Sequence, residues 1–265
     1  MKRKQIFYYI IIVLLLIIFA ISAFYVGQYI MDSKKQEERY DNLAAIVENA
    51  RRETQPDKET TPEGMEDAEE PTEPPILPEY QELHEMNGDM VGWLSIDDTP
   101  VNYPVMQTPN SEDYYLRRNF DREVNVHGCL YAREECDIDT PSDNVTIYGH
   151  HMRDGSMFGS LKYFQKKSYW EEHSTLRFDT LTEHHTYQIF AVFKTTATVD
   201  EGFPYHQFVN AADEAEFNEF IATCKELSFY DTGITPLYGD KIICLSTCEY
   251  TQVNGRFVVA AVRID

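Results

Sequence analysis

The chain has 265 residues, 43% hydrophobic and 26% charged, with a formal net charge of −22 at pH 7. That length holds one sizeable domain with attachments. The excess of acid argues against nucleic acid as a partner, because binding phosphate needs clustered Lys and Arg.

Lys2, Arg3 and Lys4 precede Ile6–Met31, a run without a charged residue. A membrane-spanning helix needs about 20 apolar residues, and a signal-peptide core typically about 7–15. The run has no polar face, so it does not read as a core helix of a soluble domain. Residues 1–31 therefore read as a single-pass signal-anchor. The basic residues predict a cytoplasmic N-terminus and an extracellular remainder, although Ala20, Ser22 and Ala23 leave cleavage open. Asp32–Arg52 has helical composition with a thin stripe of Leu43, Ala44, Ile46 and Val47. Glu53–Pro78 is dominated by Pro, Glu, Asp and Thr. Such a composition buries too little apolar area to offset ordering entropy. Residues 32–77 are therefore expected to be a stalk followed by an extended acidic tether.

The folded domain is expected over 78–265. Tyr80–Asp89 reads as a short helix with Leu83 and Met86 on one side. Val91–Ile96 and Pro100–Met106 read as strands about an Asp97-Asp98 turn. After the polar-aromatic segment Tyr114–Phe120, His127–Arg133 and Asn144–Tyr148 are further strands. The Asn-Val-Thr sequon at Asn144 lies inside a strand and is treated as chance. Tyr148-Gly149-His150-His151-Met152 leaves that strand for a loop, and Met157–Phe164 reads as a short helix. Leu176–Asp179 and Thr186–Thr195 are strands. Asp213–Leu227 is an amphipathic helix with Ala215, Phe217, Phe220, Ile221 and Cys224 at helical spacing, capped by Asp213 or Asn210. Short strands with turn residues between them fit an antiparallel barrel better than βαβ units.

The chain closes on two strands, Ile242–Cys248 and Phe257–Ile264, joined by a turn containing Asn254-Gly255. A period of two puts Cys244, Ser246 and Cys248 on one face. Arg256 opens the return strand, so the hairpin can bring a guanidinium to the Cys248 thiol. A cation there favours the nucleophilic thiolate. There are five cysteines. Cys244 and Cys248 stand about 13 Å apart along one strand, too far to bridge. Cys129 and Cys136 could pair, though nothing demands it. The chain therefore reads as disulfide-poor with one reactive thiol. His150, following a strand and a glycine that lets the backbone turn, is a candidate proton-transfer partner for Cys248.

Taken together, YGHHM, then DGSMFGSLKYF, and later LSTC with GR eight positions on resemble the sortase family of cell-wall transpeptidases, most closely class B. The resemblance spans Asp89–Ile264. It extends to Val91-Gly92-Trp93-Leu94, Asn102-Tyr103-Pro104-Val105, Tyr114-Tyr115-Leu116 and Tyr230-Asp231-Thr232-Gly233. It implies a mainly β fold: a closed, antiparallel or mixed barrel with peripheral helices, one of them before the catalytic strand. It makes Cys248 the nucleophile, His150 the general acid/base and Arg256 the stabiliser of oxyanion or substrate. His151 is the neighbouring candidate, one step along the chain and turned elsewhere. Ser246 and Thr247 are expected to line the peptide groove, with strand packing as their alternative role.

The implied reaction cleaves a C-terminal sorting motif of secreted proteins after Thr and passes the acyl group to an amine of peptidoglycan or its lipid-linked precursor. The implied mechanism requires no metal or organic cofactor. Two other classes fit the same residues: a cysteine peptidoglycan hydrolase, and a non-enzymatic wall-binding barrel. A zinc site on His150, His151 and a cysteine fits less well, because adjacent side chains at a strand end diverge.

Overall fold

Runs rich in Val, Ile and aromatic residues build the strands of the computed structural model, which describes residues 2–54, 74–109, 111, 113–198, 201–251 and 253–265. Helix α1 runs Lys2–Thr54, and its first part is long and apolar enough to cross a membrane. The chain divides into two units, one ending at Leu43 and one spanning Ala44–Asp265. The expected tether falls mostly on 55–73, outside the described residues.

The sequence sets the domain's start at Pro78, whereas the second unit begins at Ala44. Arg51 supplies the reason. Its Nη2 donates to Asp179 Oδ2 and to the Tyr80 hydroxyl, each at 2.6 Å, and its Nε donates to Glu79 Oε1 at 3.3 Å. Asp179 and Glu79 are buried carboxylates that need a cation. Arg51 provides one from the last turns of α1, and His184 lies against the same two groups.

Helix α2, Pro78–Met86, buries Tyr80 and Leu83 but leaves Met86 exposed at its end, contrary to the expected pairing of Met86 with Leu83. The strands are β1 Met90–Ser95, β2 Asn102–Met106, β3 Leu130–Ala132, β4 Asn144–Tyr148, β5 Thr175–Thr180, β6 Thr186–Thr196, β7 Ile242–Glu249 and β8 Gly255–Arg263. They close into a barrel in the order β1-β2-β3-β4-β7-β8-β6-β5. The β2–β3 and β4–β7 pairs are parallel and the others antiparallel, so the barrel is mixed. Strand β3 is shorter than expected because Gly128 sits at φ +60° with no room for a Cβ beside the Tyr115 and Leu116 carbonyls.

The segment expected to be helical over 157–164 holds only a 3-10 turn, Leu161–Gln165, followed by α3, Lys167–Glu172. Helix α4, Glu214–Leu227, is capped as expected: Asp213 Oδ1 accepts from the Glu216 amide at 3.0 Å. Phe217, Phe220, Ile221 and Cys224 of α4 pack on Phe190 and Phe193 of β6, Ile242 and Cys244 of β7, and Val258, Ala260 and Val262 of β8. Ala215, two residues before Phe217, is exposed rather than inward. This packing explains why β7 and β8 are apolar on both faces: α4 covers one, and the other fills the barrel interior. Asn144 is fully buried, with its Nδ2 donating to the Phe208 carbonyl at 2.8 Å, so the sequon offers no surface.

Candidate active site

Strands β4 and β7 lie side by side and parallel, and Tyr148↔Ser246 is their last pair. Strand β8 returns antiparallel along β7 with Cys248 directly opposite Arg256. One barrel edge thus gathers the end of β4, the end of β7 and the start of β8. The α4 cluster covers the Cys-bearing face as far as Cys244, with Ser246 buried beyond it, and Cys248 emerges half-buried. All five cysteines are free thiols, Cys129 and Cys136 included, and the other four are buried. Burial pushes the thiols of Cys136, Cys224 and Cys244 up, away from the thiolate form.

Directly opposed residues of an antiparallel pair share a face, so Cys248 and Arg256 project to the same side. Arg256 Nη1 donates to the carbonyls of Asn254 at 3.3 Å and Gly255 at 3.1 Å, which holds the guanidinium over its own turn. In that turn Asn254 takes the left-handed conformation, φ +52°, as its type suggests.

His150 follows Gly149, whose amide donates to the Ser246 carbonyl at 3.1 Å and whose carbonyl accepts from Thr247 Oγ1 at 2.7 Å. These bonds set the His150 backbone level with the end of β7. The His150 Nε2 lies 2.6 Å from the Leu116 carbonyl. A carbonyl only accepts, so this nitrogen carries the proton. The amide of Phe158 donates to the His150 carbonyl at 3.0 Å, closing the loop behind it. Nothing in the sequence marked the Leu116 carbonyl for this task, although Tyr114-Tyr115-Leu116 stood out as a motif.

Gly149 is required for a different reason from the turning freedom expected of it. A Cβ there would stand 2.5 Å from Leu130 Cδ2 and 2.6 Å from Phe158 Cδ2, both in the core. Gly149→Ala is expected to destabilise the domain by about 1–3 kcal/mol through overpacking and to displace the loop carrying His150. Denaturant unfolding measures the first effect and turnover the second.

Ser246 and Thr247, expected to line the peptide groove or to pack within the strand, are buried, at 1% and 3% exposure. Thr247 holds the Gly149 carbonyl. Ser246 exchanges a short hydrogen bond with the hydroxyl of Tyr205, itself buried. The reason is coverage from both sides, by the barrel interior and by Tyr205 with the α4 layer. No local pattern could have paired Tyr205, in the 3-10 turn Tyr205–Gln207, with the β7 serine 41 residues further on. Tyr205→Phe is expected to cost about 1–3 kcal/mol, since it leaves the Ser246 hydroxyl buried without this partner. Thermal unfolding of the variant checks it.

The Sortase domain family model matches residues 94–264. Sortase B of Staphylococcus aureus is 31% identical over 188 residues, covering 70% of this chain and 75% of that protein. Sortase B of Listeria monocytogenes is 32% identical over 186 residues, covering 69% and 73%. Among solved structures, a Staphylococcus aureus sortase B–substrate complex superposes with a TM-score of 0.75 at 26% identity, covering 89% of this chain and 99% of that one. Sortase B from Bacillus anthracis in complex with AAEK1 gives a TM-score of 0.71 at 30% identity, over the same shares. With a half-buried thiol and an arginine paired across the last two strands of a matching barrel, the chain belongs to the sortase family, in its class B branch, and is a cysteine transpeptidase.

Proposed function

We propose that this transpeptidase is held in the cell membrane by the apolar part of α1, with its catalytic domain outside. It cleaves a sorting motif near the C-terminus of secreted proteins after Thr and joins the new acyl end to an amine of peptidoglycan or its lipid-linked precursor. The observation that carries this reading is the meeting of Cys248, Arg256 and the His150 loop at one barrel edge, with Cys248 the one cysteine outside the core.

In the first step the Cys248 thiolate attacks the Thr carbonyl carbon, and a C–S bond forms. Arg256 neutralises the charge gathering on the oxygen. The tetrahedral species collapses with loss of the C–N bond, and His150, which took the Cys248 thiol proton on Nδ1 while Nε2–H stays on the Leu116 carbonyl, gives that Nδ1 proton to the departing amine. In the second step an acceptor amine attacks the thioester and His150 takes its proton. The C–S bond breaks and the thiolate returns. Ser246 and Thr247 support the strand end through Tyr205 and Gly149.

The test is intact-mass analysis of the full chain in detergent with a library of Thr-containing sorting peptides, with and without a peptidoglycan stem-peptide amine. An adduct on Cys248 that the amine resolves into ligated product supports the reading. An adduct released only by water identifies a hydrolase instead.

A further inference from the structure

Beyond Tyr148↔Ser246 the β4–β7 ladder has no further strand pairing, yet past the Gly149 amide bond to the Ser246 carbonyl the two segments stay joined by side chains. Thr247 Oγ1 holds the Gly149 carbonyl, and His151 Nδ1 lies 3.0 Å from the carbonyl of Cys248 itself, 97 residues away. Because that oxygen can only accept, Nδ1 is the protonated ring nitrogen. The His151 backbone is fixed in turn by an antiparallel bridge to Met157, and its ring meets the Tyr250 ring edge-on at 5.5 Å. His151 is half-buried. Burial, with Lys162 nearby, pushes its pKa down against the opposing pull of the Cys248 carbonyl and Glu249.

Resting on the transpeptidase reading above, we infer that His151 is a positioning residue: its Nδ1–H clasps the Cys248 carbonyl and so sets the nucleophile's backbone against the loop that carries His150. The two adjacent histidines thereby divide the work. His150 turns to the Leu116 carbonyl and His151 to the nucleophile's own peptide. Such a clasp matters because a misplacement of about 1 Å between reacting groups can lower rate a hundredfold without weakening binding.

The experiment compares two variants that separate the hydrogen bond from the packing. His151→Phe keeps a ring against Tyr250 and deletes the donor. His151→Asn loses the ring but places an amide N–H close to where Nδ1 stood. Both are made in the full chain and assayed for acyl-enzyme formation on Cys248, with the library peptide that acylates the wild-type chain fastest. Expected is a saturating rate lowered by about tenfold to a hundredfold in His151→Phe, with the half-saturating peptide concentration within about twofold of wild type, and recovery of most of that rate in His151→Asn. A fast His151→Phe with a slow His151→Asn would show that packing alone matters and overturns the inference, as would two variants at wild-type rate or two equally slow ones. If His151→Phe fails to fold, a slow His151→Asn overturns the inference and a fast one supports it. A wild-type chain that forms no adduct on Cys248 overturns the transpeptidase reading itself, a result distinct from any difference between the variants.

Discussion

Cys248→Ala is expected to abolish both the acyl-enzyme and the ligated product, lowering turnover by on the order of 10⁴-fold or more, as removal of a covalent nucleophile does. No other thiol can take over. Cys129, Cys136, Cys224 and Cys244 are buried, and burial holds three of them in the protonated state. The loss is a chemical one, because Cys248 is half-buried at the end of β7 and its truncation removes little packing. The unfolding midpoint of the variant is expected to stay within a few degrees of wild type, roughly the shift of a change below 1 kcal/mol. Intact-mass analysis after incubation with the peptide library decides the matter. An adduct that persists in Cys248→Ala, on any residue, means that the nucleophile lies elsewhere.

Arg256→Lys is expected to lower the rate of acyl-enzyme formation by about 10²- to 10³-fold, the scale of losing one oxyanion donor. Arg256 sits directly across the ladder from Cys248, and the lysine variant keeps a positive charge at that place. What is lost is the fork. Nη1 is engaged with the carbonyls of Asn254 and Gly255, and on the proposed mechanism Nε and the second amino group are the donors left to meet the substrate oxygen. A lysine ammonium is a point charge on a flexible stem and cannot hold the turn and the oxyanion together. Pre-steady-state acylation at saturating peptide separates this from a binding defect. A variant within a few-fold of wild type assigns the oxyanion site to other donors.

Much of this was legible in the residues because it is local. The Cys248–Arg256 pairing follows from hairpin arithmetic: two apolar strands, a turn residue that tolerates positive φ, and a period of two. Asn144–Tyr148 could be bounded to the residue, because an alternating apolar run is flanked by turn-formers on both sides. Helix α4 announced itself through an Asp cap and apolar side chains at positions 217, 220, 221 and 224. The errors also have local causes. Ala215 and Met86 obey helical spacing but sit at helix ends, beyond the reach of the surface that covers their neighbours.

The sequence by itself determined the class of the fold and the pairing of Cys248 with Arg256, because side-chain alternation and turn chemistry act over a few residues. The proposed role of the thiol came from the resemblance of the motifs around it. Only the tertiary structure decided that β4 runs beside β7, that Ser246 is closed off by Tyr205, that Gly149 is forced by Leu130 and Phe158, and that Arg51 draws the end of α1 into the catalytic unit. Apart from Phe158, nine residues after Gly149, each of these joins segments 19 or more residues apart in the chain, or a buried charge to a distant counter-charge. Such contacts leave no periodic trace, since they follow from how the closed barrel fills space and satisfies its buried polar atoms.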